Sequence, residues 1–466
     1  MPGPRELSGD FLTGSGESAH ASSVIATRRR LHLQGIFVGA LVGPATSACG
    51  SAGDDEGSAD SGSEGDTASV GGTSSAGDAP PTTAPGTSNS TVGSTDGSST
   101  AAADESSGGD DGPQPGMDCD GLAPGKVGVW EEITPPEFAT PDNMEAAAIA
   151  VNPIDCSVYA AAGNETNGGD GGTGIFKSTD AGASWSKIST GENGAKLETG
   201  VIWAMRIDPV EPERMYVASG YGADPTIYRS IDGGVDWEML DADPDDTVSD
   251  FAQAIGMDRD DPRHIIITWH ETCSAPHTPN CLSRTKDGGD TWTILDGPPS
   301  FGGWVEGASI TIFGPDSYLL AADAGGWFTD DAGATWDHVI DGVHYGVYAG
   351  GAHFAPDGAA YIGMANQGVF VSRGDRGAPL GSSWTLIPGS PQAALLIDDG
   401  VTLYATYLHD FGGQPYWSAP VDDPTTWTNM PSASIGRGAV AIDYDAAQHL
   451  VYSANGVFGL WRLRTE

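Results

Sequence analysis

The sequence predicts an all-β fold, a single seven-bladed β-propeller, on three observations. A tryptophan followed by a short apolar strand recurs seven times. In the clean copies the tryptophan closes a Ser/Thr-x-Asp-x-Gly-x-x-Trp turn, as in Ser178 to Trp185, Ser230 to Trp237, Thr285 to Trp292 and Thr329 to Trp336. These turns recur every ~45 to 55 residues, the period of a four-stranded blade. The third observation is that one copy is out of order. Trp130-Glu131-Glu132-Ile133 has the form of the strand after a turn, yet precedes the first repeat. Gly459-Leu460-Trp461-Arg462-Leu463, near the C-terminus, has the form of the strand before a turn. The two ends are therefore expected to complete the seventh blade together.

Each residue type in the turn has its own physical reason. The Asp accepts hydrogen bonds from turn amides, the Gly takes a positive φ, the Ser or Thr hydroxyl caps locally, and the Trp supplies a large apolar body. Two worn copies continue the rhythm. One runs from Ser372 to Trp384 with an insertion, the other from Ser418 to Trp427 with Asp422 and Asp423 in the turn.

On these residues the chain resembles the Asp-box propellers, or bacterial neuraminidase repeats, which include sialidases, xyloglucan-degrading endoglucanases, sortilin-type receptors and photosystem II stability factors. The resemblance covers residues from about 127 to 463. It implies that the boxes are structural staples lying away from the active face.

The N-terminal region reads differently. Arg28-Arg29-Arg30, an apolar run from Leu31 to Val42 and Thr46-Ser47-Ala48-Cys49 form the basic, hydrophobic and small-residue order of an export leader over residues 1–48. Thr46-Ser47-Ala48-Cys49 resembles a bacterial lipobox with Cys49 as the lipidated residue, and ordinary cleavage after Ala48 is the alternative. Residues 49–118 are Gly, Ser, Ala, Thr and Asp without Lys or Arg, a composition that cannot bury enough surface to fold. Such a tether of about 70 residues has an end-to-end distance on the order of 45 Å. Residues 119–466 are then the propeller, extracytoplasmic and either lipid-anchored to a bacterial membrane or secreted.

Charge and cysteine count narrow the function. The 466 residues carry 64 Asp and Glu against 20 Lys and Arg, a net charge of -44, which argues against nucleic acid and polyanionic glycans as ligands. Of the 5 cysteines, four remain once Cys49 is assigned to the anchor, and outside the cytoplasm they are expected to pair. Cys273 and Cys281 share one loop, and Cys119 and Cys156 would tie the start of the domain to the first blade. Four cysteines also allow a metal site, but no Cys-x-x-Cys spacing is present.

Blade order puts the turns between second and third strands on one face with the blade-to-blade connections, and the box turns on the other. Function is expected on the first face. There the sequence places Trp203, Tyr221, His270, Glu271, Trp304, Glu306, Asp323, His344, Tyr345, His409 and Asp410. Rings beside carboxylates suit a sugar cleft, because rings stack on pyranose faces and carboxylates accept from hydroxyls. Packing between blades is the competing role for Trp203 and Trp304. Asn164-Glu165-Thr166-Asn167-Gly168-Gly169-Asp170 has the composition of a calcium loop without its spacing, so a plain turn and no cofactor are expected, with calcium as the weaker alternative.

Two functional classes follow. The first is a monomeric, surface-tethered propeller that binds a glycan or an extracellular protein and meets the membrane only through a lipid anchor. The second is a glycoside hydrolase acting on a neutral polysaccharide, with a pair drawn from Glu306, Asp323 and Glu271. Asp323-Ala324-Gly325-Gly326 resembles the Asp-x-Gly-Gly segment of xyloglucan-degrading enzymes, which however use two facing propellers. A sialidase fits less well: Arg229, Arg284 and Arg373 flank box turns, leaving Arg206 and Arg437 to grip a carboxylate.

Overall fold

The computed structural model describes residues 119, 125–138, 145–163, 174–222, 224–248, 251–270, 272–299, 308–344, 350–374, 377–407, 414–432 and 434–466. The leader, Cys49, the tether and the Asn164 to Asp170 loop lie outside these residues. The described strands form seven four-stranded antiparallel sheets. We number them as blades 1 to 7, with inner strands Glu145–Val151, Val201–Ile207, Ala252–Met257, Ser309–Gly314, His353–Phe354, Leu395–Asp398 and Ala441–Asp445.

Blade 2 shows how sequence sets each strand. Its inner strand is Val201–Ile207, its second Met215–Gly220 and its third Ile227–Ser230. Arg214 closes the turn between the first two strands, its carbonyl accepting from Asp208 N at 3.0 Å and its guanidinium pairing with the Asp208 carboxylate at 2.9 Å. The second strand is buried along its whole length, as in blade 1, whereas the outermost, Glu238–Met239, is exposed. A strand covered on both faces needs a continuous apolar run, and second strands such as Met215–Gly220 supply one.

The core therefore lies between blades. Ile202 and Val217 of blade 2 pack with Ala161 and Ile175 of blade 1, and Tyr216 and Ala218, on the other face of blade 2, pack with Ile265 and Ile267 of blade 3. Across the closing seam, Leu460 and Tyr452 of blade 7 meet Phe176 and Ala160 of blade 1.

The ring closes as predicted. Trp130–Glu132 is the outermost strand of blade 7 and pairs antiparallel with Leu460–Arg464. Ile133 N donates to Leu460 O at 2.9 Å, and Arg462 pairs with Glu131 at 2.9 Å while also donating to Ala181 O in the first box. Both predicted disulfides are present, Cys119 to Cys156 and Cys273 to Cys281, with Cα atoms 5.7 and 5.8 Å apart.

The box turns are hydrogen-bonded staples. In blade 3, Thr285 Oγ1 donates to Asp287 at 2.7 Å and accepts from Gly289 N at 2.9 Å, while Thr291 N donates back to Asp287 at 2.9 Å. The box glycine presses on the preceding blade. Gly182, Gly234 and Gly289 all have positive φ, and a Cβ on them would lie 2.6 Å from Ile133, 2.6 Å from Ile188 and 2.7 Å from Leu240. Of the worn copies, the first keeps Gly381 N on Ser372 Oγ and Trp384 Nε1 on Gly381 O.

Burial opposes ionisation of Asp287, and the bonds from Thr291 and Thr285 outweigh it, bringing the carboxyl down to about 2. Because the folded value lies below the unfolded one, this stabilisation is full above the unfolded value and is lost as pH falls toward the folded one. Asp287→Asn should therefore lower the melting temperature at neutral pH and flatten its fall between about pH 4 and pH 2. An unchanged acid slope would remove Asp287 from the staple. Deleting residues 459–466 should lower the melting temperature by about 10 °C or more, since several buried side chains at about 1.5–3 kcal/mol each leave the closing seam. A cooperative melt within a degree or two of the full chain would contradict this form of closure.

Candidate ligand-binding face

Each box turn joins the third and outermost strands of its blade, so the turns between second and third strands emerge on the opposite face with the blade-to-blade connections. On that face, between blades 2 and 3, the structure brings together three of the residues the sequence singles out. Trp203 ends up in the seam at 7 % exposure, its ring 5.9 Å edge-on to Tyr221. Tyr221 follows the second strand of blade 2 and is 37 % exposed. His270 follows the second strand of blade 3 and stacks on Phe251 at 4.5 Å, with Tyr221 Oη 3.3 Å from its Nε2. Phe251 is the member that sequence reading missed. It directly precedes an inner strand, a position marked in the sequence only by apolarity.

The local backbone builds this cluster. A Cβ on Gly220 would lie 2.5 Å from both Phe251 and Trp203, so only glycine lets the two rings approach. Tyr221 itself has φ 58, a left-handed conformation unfavourable for a bulky residue and held here by the rings around it. The disulfide loop lies alongside: His270 N donates to Phe251 O at 3.0 Å, Cys273 N to Pro279 O at 3.0 Å, and Ser274 N to Thr247 O at 2.8 Å. The arrangement presents one fixed, partly exposed phenol backed by three rings.

The remaining candidates separate. Asp323 is exposed in the turn between Ser317–Ala322 and Gly325–Thr329 of blade 4, on the same face. Glu271, Trp304, Glu306, Tyr345, His409 and Asp410 lie outside the described residues. His344, placed at the mouth by sequence, is instead inside at 1 % exposure. Its Nδ1 donates to Gly363 O at 2.9 Å, which requires the hydrogen there, so Nε2 accepts from Ser309 Oγ at 2.9 Å. Burial holds the ring below the usual histidine range, with the Gly363 bond opposing. A neutral imidazole with both nitrogens committed across blades 4 and 5 is a seam residue.

A second polar set, of which the sequence singled out Arg206 alone, lies in the central channel. The central channel, at the ends of the inner strands toward the box face, widens into a cavity of about 300 Å³ whose lining includes Arg206, Thr311, His353 and Asp443. Asp443 accepts from Val151 N and Tyr444 N, both at 2.8 Å; burial raises its carboxyl above the usual range, against these bonds and the charges of Arg206 and His353. His353 bonds Asp398 of blade 6, and Arg259 lies 3.8 Å from the Phe354 ring centre. The available signal is a polar residue near the end of an otherwise apolar inner strand.

The family described as "Sortilin, neurotensin receptor 3" matches residues 173–299. A xyloglucanase of a Paenibacillus species is 26% identical over 306 residues, covering 56% of this chain and 29% of the relative. A second xyloglucanase, from Acetivibrio thermocellus, is 28% identical over 170 residues, covering 33% of this chain and 20% of the relative. The chain thus spans less than a third of the length of these relatives. A solved structure of YCF48 bound to D1 peptide superposes with a TM-score of 0.48 at 14% identity, covering 74% of this chain and 99% of that one. With its seven four-stranded blades the chain is a β-propeller, similar over residues 173–299 to the sortilin family and over a longer stretch to xyloglucanases.

Proposed function

We propose that this propeller binds a neutral glycan on the face opposite the box turns, with Tyr221 as its anchor. The observation that carries this reading is the partly exposed Tyr221 ring, held in a left-handed backbone and braced by Trp203, Phe251 and His270. A rigid ring stacks on a pyranose with little loss of side-chain freedom, and backbone strain at an exposed aromatic marks functional positions more than structural ones. The net charge of -44 disfavours an anionic sugar. The two disulfides support an extracytoplasmic location, and display on a lipid-anchored tether at Cys49 belongs to this proposal.

The similarity to xyloglucanases favours a second reading, hydrolysis of a neutral polysaccharide. That reaction needs one protonated and one ionised carboxyl group about 5 to 9.5 Å apart. Glu306 and Asp323 are the proposed pair, with Glu271 and Asp410 as further candidates. Binding needs no such pair, which makes it the simpler reading.

Xyloglucan and other neutral β-linked polysaccharides should be tested by calorimetry and by release of reducing ends. Wild-type protein is expected to bind without release, and Tyr221→Ala to weaken binding about tenfold, equivalent to roughly 1.4 kcal/mol. Unchanged affinity in Tyr221→Ala would move the site elsewhere. Release that disappears in Glu306→Gln or Asp323→Asn would establish the hydrolase instead.

A further inference from the structure

The same face holds a second cavity, of about 350 Å³, at the seam where the ring closes. Its walls come from both ends of the propeller chain. Glu132 ends the outermost strand of blade 7, Thr134 and Phe138 belong to the connection from blade 7 to blade 1, Val457 and Phe458 to the turn between second and third strands of blade 7, and Ser434 to the connection from blade 6. The volume lies at the lower end of the range for small-molecule sites, about 300 to 1,000 Å³.

Two features mark it as more than a gap left by closure. Phe458 and Val457 are apolar yet 39% and 57% exposed. Phe458 is also fixed: its N donates to Asn455 O at 3.2 Å, its O accepts from Trp461 Nε1 at 2.8 Å, and a Cβ on Gly436 would lie 2.6 Å from its ring. The polar side is equally ordered. Thr134 Oγ1 accepts from Leu460 N at 3.0 Å and donates to Glu132 Oε1 at 3.2 Å, which orients a carboxylate able to accept from further donors.

A fixed ring beside an oriented carboxylate and hydroxyls matches the apolar face and hydroxyl rim of a neutral pyranoside. We infer that this cavity is a second saccharide site, and that a sugar bound there holds the two ends of the ring together. The inference rests on the glycan-binding reading above and adds a site and a coupling to it. A ligand touching both Thr134 and Phe458 fits only the closed ring, so its binding energy adds to closure by mass action.

The test is hydrogen exchange of segments 130–134 and 460–464 in the full chain, with and without a xyloglucan heptasaccharide. With ligand a hundredfold above Kd, wild-type exchange in both segments should slow about a hundredfold and the melting temperature should rise by about 5 °C. Phe458→Ala and Glu132→Gln should lose the seam protection, Phe458→Trp should keep it, and Tyr221→Ala should keep it while losing affinity at its own site. Glu132→Gln preserves shape, so the test stands even where Phe458→Ala fails to fold. Tyr221-dependent binding without seam protection would overturn this inference and leave the glycan reading intact; absence of any saccharide binding would overturn both. Protection by tetramethylammonium but not by the sugar would overturn the saccharide assignment.

Discussion

Everything in this molecule depends on the fact that no blade covers its own faces. A four-stranded sheet here is apolar on both sides, and each side is dried only by the next blade in the ring. Fully burying one such side chain contributes about 1.5–3 kcal/mol, so a blade with one open face would leave a large part of its stabilisation unrealised. The box turns make this dependence specific. Gly182, Gly234 and Gly289 seat against Ile133, Ile188 and Leu240 of the preceding blade, while Arg229 reaches forward to the Gly288 carbonyl and Arg462 to that of Ala181. Contacts in both directions fix the angle between neighbours, and a fixed angle is what lets a linear repeat return to its start.

The ring also sorts chemistry by height. Toward the box face the channel gathers Arg206 and Asp443, whose charges burial disfavours and which favour each other, with the hydrogen-bonded His353 and Asp398 pair beside them. Toward the opposite face the seam between blades 2 and 3 ends in the rings of Trp203, Tyr221, Phe251 and His270.

What was legible in the sequence follows from how local its cause is. The turn at Thr285 to Trp292 is specified by side chains within four residues of their partners, so it can be read from spacing alone. Closure was legible because Trp130 lacks the strand that should precede it. Cys273 and Cys281 are eight residues apart and pair within one loop. His344 was misplaced because its burial is decided by Ser309 and Gly363, on two other segments. The channel set was missed as a set for the same reason, since Arg206, His353 and Asp443 come from three blades. Phe251 carries no local mark at all, and only the ring built from Gly220 and His270 shows its place.

The strand Trp130–Glu132 has a consequence in time. Glu131 and its partner Arg462 are 331 residues apart, so the first of the described strands to leave the ribosome needs the last of them. At about 5 to 20 residues per second, it waits on the order of 20 to 60 s with an unpaired edge. For that interval blades 1 to 6 form an open arc whose end faces are apolar and available to a second copy of the chain. Acidic surface charge repels such a copy, and the short, glutamate-bearing edge at Glu131 and Glu132 makes a poor template. The acidic composition that makes finished rings repel one another protects their assembly as well.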